Sequence, residues 1–335
     1  MTPPDPESPS RRLRIDVHVE AAQFGAALAN DVRLGFAATP KQIPPKYFYD
    51  DVGSELFERI TQQPEYYPAR AERRLLEMVA ADLMARLRPI ELVELGSGFS
   101  SKTRILLGAA SAPDHLQLYV PFDVSEGIVR ESAKKLVNEY PYLSVHGVIG
   151  DFESDLPKIP APGGARLVLF LGSTIGNLHP PQRHVFLERI REVIGPHGHA
   201  LVGMDLVKER SAVERAYDDA AGVTAAFNRN LLRVINRELD ADFVPEAFDH
   251  VALFNAVESR IEMHLEAREA QFVKVGALGM DVHLRSGERI WTEASYKFSR
   301  AAAERSFADA GLALADWFTT SEPSELFGLA LVTTA

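Results

Sequence analysis

The chain has no cysteine. That excludes disulfides, thiol nucleophiles and cysteine-ligated metal sites. It also lacks any apolar run long enough to span a membrane, so no membrane association is expected. Positive charge is in deficit: 36 Lys and Arg against 47 Asp and Glu leave a net charge of −11, which argues against a nucleic-acid footprint. The His-Glu-x-x-His, Gly-x-Ser-x-Gly and Walker signatures are missing. The ten histidines show no ligand spacing, and His197 and His199 flank Gly198 as a turn would, so no metal is expected. Residues 1–14 read as a disordered tail; their Pro, Ser and charge content has no apolar signal-peptide centre, and a cytoplasmic monomer is expected. What is present is a chain of 335 residues, 46% hydrophobic, enough for a sizeable core and suited to handling a small molecule.

From about Pro68 the pattern alternates helix and strand. Helices are expected at 71–87, 101–108, 126–138 and 181–194, and strands at 91–95, 116–122, 143–149, 167–171 and 200–205. Strands that read as continuous apolar runs belong in a parallel sheet covered on both faces. After Leu206 the rhythm breaks. One long helix-like segment, 209–239, precedes alternating segments at 249–254, 259–267 and 271–275, expected to form an antiparallel, half-exposed sheet. A helix at 299–310 and strands at 312–319 and 326–333 close the chain. The expected fold is α/β: a Rossmann-like doubly wound sheet (71–205 and 298–335), whose closing antiparallel pair is a common finish for class I methyltransferases, with a second α+β domain (15–70 and 206–297) that the resemblance described below implies is substrate-binding.

The densest signal is Val93-Glu94-Leu95-Gly96-Ser97-Gly98-Phe99-Ser100-Ser101-Lys102. A strand runs into a turn at Gly96 and Gly98, and a helix follows, as at a nucleotide-cofactor site. Ser101 stands where a dinucleotide fingerprint has its third glycine; with Glu94 before the turn, this leans toward S-adenosylmethionine. A purely structural turn uses the same glycines. Asp123 ends the next strand, where an acid can take two ribose hydroxyls. Asp151 and Phe152 follow the third strand and suit an adenine amino group and ring; a cap or turn acid is the other reading. After the fourth strand, Gly172 and Gly176 expose backbone, and Asn177 offers both a donor and an acceptor for an amine or zwitterion, or else a left-handed turn. Four of the nine tyrosines fall at Tyr47, Tyr49, Tyr66 and Tyr67, beside Asp, Gly and Pro, either as core rings or as hydroxyls near a cleft. Glu293 and Ser295, two apart on a strand, share a face and can grip both nitrogens of an imidazole, or lie on a solvated face.

Together these segments resemble the histidine Nα-methyltransferase family of ergothioneine biosynthesis, from about Pro44 to the end of the chain. The resemblance is carried by Tyr47-Phe48-Tyr49-Asp50-Asp51-Val52-Gly53-Ser54-Glu55-Leu56-Phe57, Pro64-Glu65-Tyr66-Tyr67-Pro68, Glu94-Leu95-Gly96-Ser97-Gly98 and Gly172-Ser173-Thr174-Ile175-Gly176-Asn177. It continues through Ala216-Tyr217-Asp218-Asp219-Ala220-Ala221-Gly222-Val223-Thr224-Ala225-Ala226-Phe227-Asn228 and Glu258-Ser259-Arg260-Ile261-Glu262-Met263. It implies S-adenosylmethionine as cofactor, held at Gly96, Gly98, Lys102, Asp123, Asp151 and Phe152, and trimethylation of the α-amino group of L-histidine. It further implies Asn177 and Tyr217 on the substrate carboxylate and Tyr66 near the amine, with Tyr66 and Asn177 as the catalytic pair. Tyr49 and Gly172 would line the site, Glu293 and Ser295 would hold the imidazole, and Met263 would shape its pocket. Similar fungal enzymes methylate a tryptophan-derived amine, so another amino acid or amine is the alternative substrate. Trp291 and Tyr296 flank the Glu/Ser pair, and Tyr296, at an odd offset, should face away from the pocket.

Overall fold

The computed structural model describes residues 11–18, 21–110, 116–152 and 154–335. In chain order the first part runs β1 (Leu13–Val17), α1 (Ala21–Ala37), β2 (Lys41–Gln42), α2 (Asp51–Thr61), α3 (Tyr67–Leu87), β3 (Glu91–Leu95), α4 (Thr103–Ala109), β4 (Leu118–Asp123), α5 (Glu126–Glu139) and β5 (Ser144–Ile149). It continues through β6 (Arg166–Phe170), α6 (Pro180–Ile194), β7 (His199–Asp205), α7 (Arg210–Ala216), α8 (Val223–Leu239), β8 (Phe248–Asn255) and β9 (Arg260–Ala267). It ends with β10 (Gln271–Val275), β11 (Met280–Leu284), β12 (Arg289–Tyr296), α9 (Arg300–Asp309), β13 (Leu312–Thr319) and β14 (Phe327–Thr334).

Eight strands form the main sheet in the order β1-β5-β4-β3-β6-β7-β14-β13. Pairing is parallel from β1 to β7, and β14 is antiparallel to both β7 and β13. This is the class I methyltransferase arrangement. The strand order reverses at β3, so a crevice opens beyond its carboxyl end between β4 and β6. Successive residues alternate across the sheet, so Leu92 and Val93 enter different cores. One core packs under α3, α4 and α5, the other under α6 and α9. A third, separate core gathers Leu28, Phe48, Phe227, Leu231, Ile261, Met263 and Leu265 from α1, the short turn Pro45–Phe48, α8 and β9. The four-stranded sheet β2-β12-β9-β8 forms one wall of it.

The fold departs from the sequence expectation in four places. β1 belongs to the main sheet, not to the second domain: it pairs with β5, and the Arg12 guanidinium bonds the carbonyls of Val137, Tyr140 and Leu143. The expected tail therefore does not reach Leu13; residues 1–10 lie outside the described residues. The expected long helix is broken into α7 and α8. Asp219 accepts the N–H groups of Val223 at 2.8 Å and Thr224 at 2.7 Å, and Gly222 takes φ +70°, so the side chain restarts the helix. β10 pairs with β11, not with β9. Finally, β9 is not half-exposed. Its polar residues bond one another, with Glu262 accepting from Arg260 at 2.7 Å and lying 3.2 Å from His264, under the ring of Trp291.

The main sheet carries a buried ion pair at its amino-terminal edge. Arg166, 2% exposed, donates twice to Glu91 and once each to the carbonyls of Val193 and Pro160; Glu91 also accepts from Gly163 N–H. Removing one partner strands a buried charge. Glu91→Ala should therefore cost about 3–5 kcal/mol in denaturant unfolding, with a matching fall in Tm. A loss under about 1 kcal/mol would mean that water or the remaining carbonyls solvate Arg166 adequately.

Candidate active site

The crevice begins at the turn after β3. Gly96 and Gly98 have φ of +72° and +46°, values that side chains with a Cβ resist. A Cβ on Gly96 would stand 3.4 Å from the Phe152 ring, which stacks on Phe122 with centroids 5.5 Å apart. The Gly98 N–H donates to Asp123 at 2.9 Å, and Ser125 N–H donates to its other oxygen at 3.0 Å. Burial pushes the Asp123 carboxyl up, and these backbone donors partly restrain it. Asp151 is anchored through its backbone, N–H to Asp155 at 2.9 Å and carbonyl from Asp155 N–H at 2.8 Å. The turn, the terminal acid and the phenyl ring are thus brought to one edge, a donor set that fits a nucleoside cofactor.

Lys102 is held at the floor by an ion pair with Glu72, a fully buried residue of α3. Glu72 also accepts the Gly172 N–H at 2.8 Å, so it ties the helix after β3 to the loop after β6. Nothing in the sequence pattern singles out Glu72; its significance appears only when α3 crosses the end of the sheet.

A second group of residues comes from the four-stranded sheet and the elements packed on it. Gly176 makes the junction possible: a Cβ there would meet the Tyr296 carbonyl oxygen at 2.8 Å and Ser295 Oγ at 3.2 Å. The bare backbone lets the short helical turn Thr174–Asn177 lie directly on β12 at Ser295 and Tyr296. Tyr217, at the end of α7 where the helix breaks, donates to Ser295 Oγ at 2.9 Å. Its carbonyl is held by His250 Nε2 at 2.8 Å, while His250 Nδ1 accepts from Asn228 at 2.9 Å. The hydroxyl expected on a carboxylate therefore directs its proton at Ser295.

Of the four clustered tyrosines, Tyr49 lines a cleft and Tyr66 is buried among neighbouring rings. Tyr66 packs edge-on against Tyr217 and Phe57, and Tyr49 against Phe57 and Phe227. Tyr47 is core, bonded to Asp31 at 2.7 Å, and Tyr67 turns to Asp205 at 2.8 Å. Met263 lies opposite Glu293 in the β9–β12 register, on the same face. Glu293 is 8% exposed; burial raises its pKa from 4.5 to about 7, and Lys297 restrains the rise. The Tyr49, Tyr66 and Tyr217 phenols are pushed far up, first by burial, with Glu293 contributing to each. Beside Tyr49 a cleft of about 540 Å³ opens between Asp51 and Val124–Gly127.

Tyr296 faces away from this wall: its hydroxyl takes Arg260 at 2.6 Å and lies 3.1 Å from His179 Nδ1. Trp291 shares that outer side, against Arg260 and His264, because a bulge between Trp291 and Glu293 shifts the alternation by one.

Beneath the wall lies a group that the sequence reading missed. Asp205, at the end of β7, pairs with both Lys208 and Lys297, and the three side chains are fully buried. Lys297 continues the alternation of Glu293 and Ser295, so the same period-two argument reaches it. Among the described residues no cluster has the composition of a metal site.

The Glu293 shift has a testable consequence. A carboxyl whose folded pKa is raised binds its proton more tightly in the fold, so stability falls as pH rises from 4.5 toward 7 and is level above that. In the ligand-free protein Glu293→Gln should raise stability, and the gain at pH 8 should exceed that at pH 5.5 by about 2 kcal/mol in urea melts. An equal gain at both pH values would place the Glu293 carboxyl in water.

The chain matches the model of the family described as "Histidine-specific methyltransferase, SAM-dependent" over residues 28–334. It is 49% identical to the histidine N-alpha-methyltransferase of Mycolicibacterium smegmatis, across 95% of this chain and 98% of that one. The histidine N-alpha-methyltransferase of Mycobacterium tuberculosis is also 49% identical, across 96% and 99%. Ergothioneine biosynthesis protein 1 of Neurospora crassa is 31% identical across 82% of this chain, which spans 31% of that longer protein. With the family model matched over most of its length, the chain belongs to the S-adenosylmethionine-dependent, histidine-specific methyltransferase family.

Proposed function

We propose that this protein methylates the α-amino nitrogen of L-histidine three times, giving hercynine, the first step toward ergothioneine. The reading is supported by Tyr49, whose phenol feels the charges of both Glu293 and Asp123: the Gly96–Gly98 turn is bonded to Asp123, and Glu293 shares a strand face with Ser295, which Tyr217 bonds. The names of its relatives point the same way.

In this reading Gly96, Gly98, Lys102, Asp123, Asp151 and Phe152 hold S-adenosylmethionine, which supplies a methyl group on a sulfonium. Glu293 and Ser295 take the two ring nitrogens, and Met263 bounds the ring pocket. Asn177 donates to the carboxylate, with the Gly172 loop beside it. Tyr217 closes the same corner, backed by two lysines around the single carboxylate of Asp205.

The nucleophile must be the neutral amine. A free α-amino group has a pKa of about 8, and a buried site next to a cation lowers it. The three phenols are held far above neutrality, so none is a general base at pH 7. Tyr66 and Tyr49 therefore act by orienting the amine and excluding water, and the proton leaves before the amine is aligned. Alignment supplies most of the acceleration. Aromatic walls also accept a nitrogen that grows by one methyl per turnover, since ring faces attract a quaternary cation without needing an N–H.

Incubation with S-adenosylmethionine and L-histidine, followed by mass analysis, should give mono-, di- and trimethyl products in turn. Turnover of tryptophan with histidine untouched would reject the reading. Asp123→Ala should weaken S-adenosylhomocysteine binding by about 1.5–3 kcal/mol per lost ribose bond in calorimetric titration. Glu293→Ala should weaken histidine selectively by about 1–3 kcal/mol, and adding Met263→Val should move preference toward an indole. Full histidine preference in that double variant would remove Glu293 from ring recognition.

A further inference from the structure

The buried lysine beneath the substrate wall determines what that wall can read. Lys297 has three N–H donors and no acceptor. All three are used: Asp205 at 2.9 Å, Ser295 Oγ at 3.0 Å and Tyr217 OH at 3.1 Å. Ser295 Oγ also accepts the Tyr217 proton at 2.9 Å. A serine hydroxyl has two lone pairs and one proton. Both lone pairs are taken, so Ser295 has only its proton left to offer. Glu293, on the same face of β12, offers acceptor oxygens. The wall thus presents one donor and one acceptor two residues apart, where a serine free to rotate would present either.

We infer that Lys297 is a positioning residue: by occupying Ser295 it makes the substrate wall select a ring that carries one unprotonated nitrogen and one N–H. This rests on the reading of Glu293 and Ser295 as the ring-binding pair. Neutral imidazole meets both requirements. An indole supplies the N–H and leaves the Ser295 proton without a partner, a mismatch that a buried site penalises heavily. The charge of Asp205 is not isolated when Lys297 is lost, because it remains paired with Lys208. Removing it therefore frees Ser295 without stranding the carboxylate.

The test measures Kd by calorimetric titration in the presence of S-adenosylhomocysteine, and kcat and KM by mass analysis. Four ligands separate the effects: histidine, 2-thienylalanine, whose ring has no nitrogen, and the thiazol-4-yl and thiazol-5-yl alanines, which place an acceptor nitrogen at either ring position without an N–H. Lys297→Met should weaken histidine about tenfold or more, through KM with kcat nearly kept, and leave thienylalanine within about threefold. On a Ser295→Ala background the same substitution should cost histidine less than about threefold, since the hydroxyl it acts through is gone. Equal losses for histidine and thienylalanine, or a full loss on the Ser295→Ala background, would overturn the inference and leave Lys297 a packing residue. If Lys297→Met does not fold, the wild type still decides. It should bind at least one thiazolyl isomer about tenfold more tightly than thienylalanine. Equal binding of all three would show that Ser295 presents no proton. Absence of histidine methylation by the wild type would instead defeat the functional reading itself.

Discussion

The buried carboxylate of Asp205 is the point on which the site depends. Burial alone pushes it up, but Lys297 and Lys208 more than offset that and hold it below the ordinary carboxylate range. Tyr67 donates to it as well, at 2.8 Å. Desolvating three charges is costly, and it is tolerated only where each is paired and hydrogen-bonded. Here the pairing has a geometric result. Asp205 ends a strand of the main sheet, Tyr67 opens α3, and Lys297 leaves β12. One side chain therefore ties the main sheet, α3 and the end of β12 together.

The electrostatics on the two sides of the cleft follow one theme. Carboxyl groups that would be ionised in water are held near neutrality: Glu293 and Glu94 are both raised to about 7, chiefly by burial. Glu94 accepts from Thr103 and Tyr119 beneath the cofactor turn. Phenols are kept protonated. A cleft with few fixed charges and many oriented hydroxyls does not need to reorganise around an amine whose charge appears as the bond forms. It supplies position and dryness, which is what displacement at a sulfonium carbon asks of a protein.

Much of this was legible in the sequence. The parallel strands announced themselves as apolar runs because helices cover both faces of the sheet. The Gly96–Gly98 turn, Asp123 and Phe152 could be placed at one edge because the carboxyl ends of adjacent parallel strands converge there. Glu293 and Ser295 could be assigned to one face because strand alternation is local. Where local pattern was a poor guide, a long-range partner had changed the outcome. Arg12 and β5 captured a segment that looked like a tail, and Asp219 interrupted a helical pattern to restart α8. A bulge moved Trp291 to the outer side of β12.

The sequence by itself thus determined the fold class, the glycine turn at the end of β3 and the shared face of Glu293 and Ser295, since each rests on periodicity or on a turn that only glycine tolerates. The tertiary structure decided how those residues are wired. Glu72 bridges Lys102 and Gly172 only after α3 has crossed the sheet, and Gly176 meets Ser295 and Tyr296 only because the turn after β6 packs on β12. Lys297 governs Ser295 and Tyr217 only because Asp205, far away in the chain, anchors it beneath them. Hydrogen-bond polarity is a property of partners in space, and sequence spacing carries no record of it.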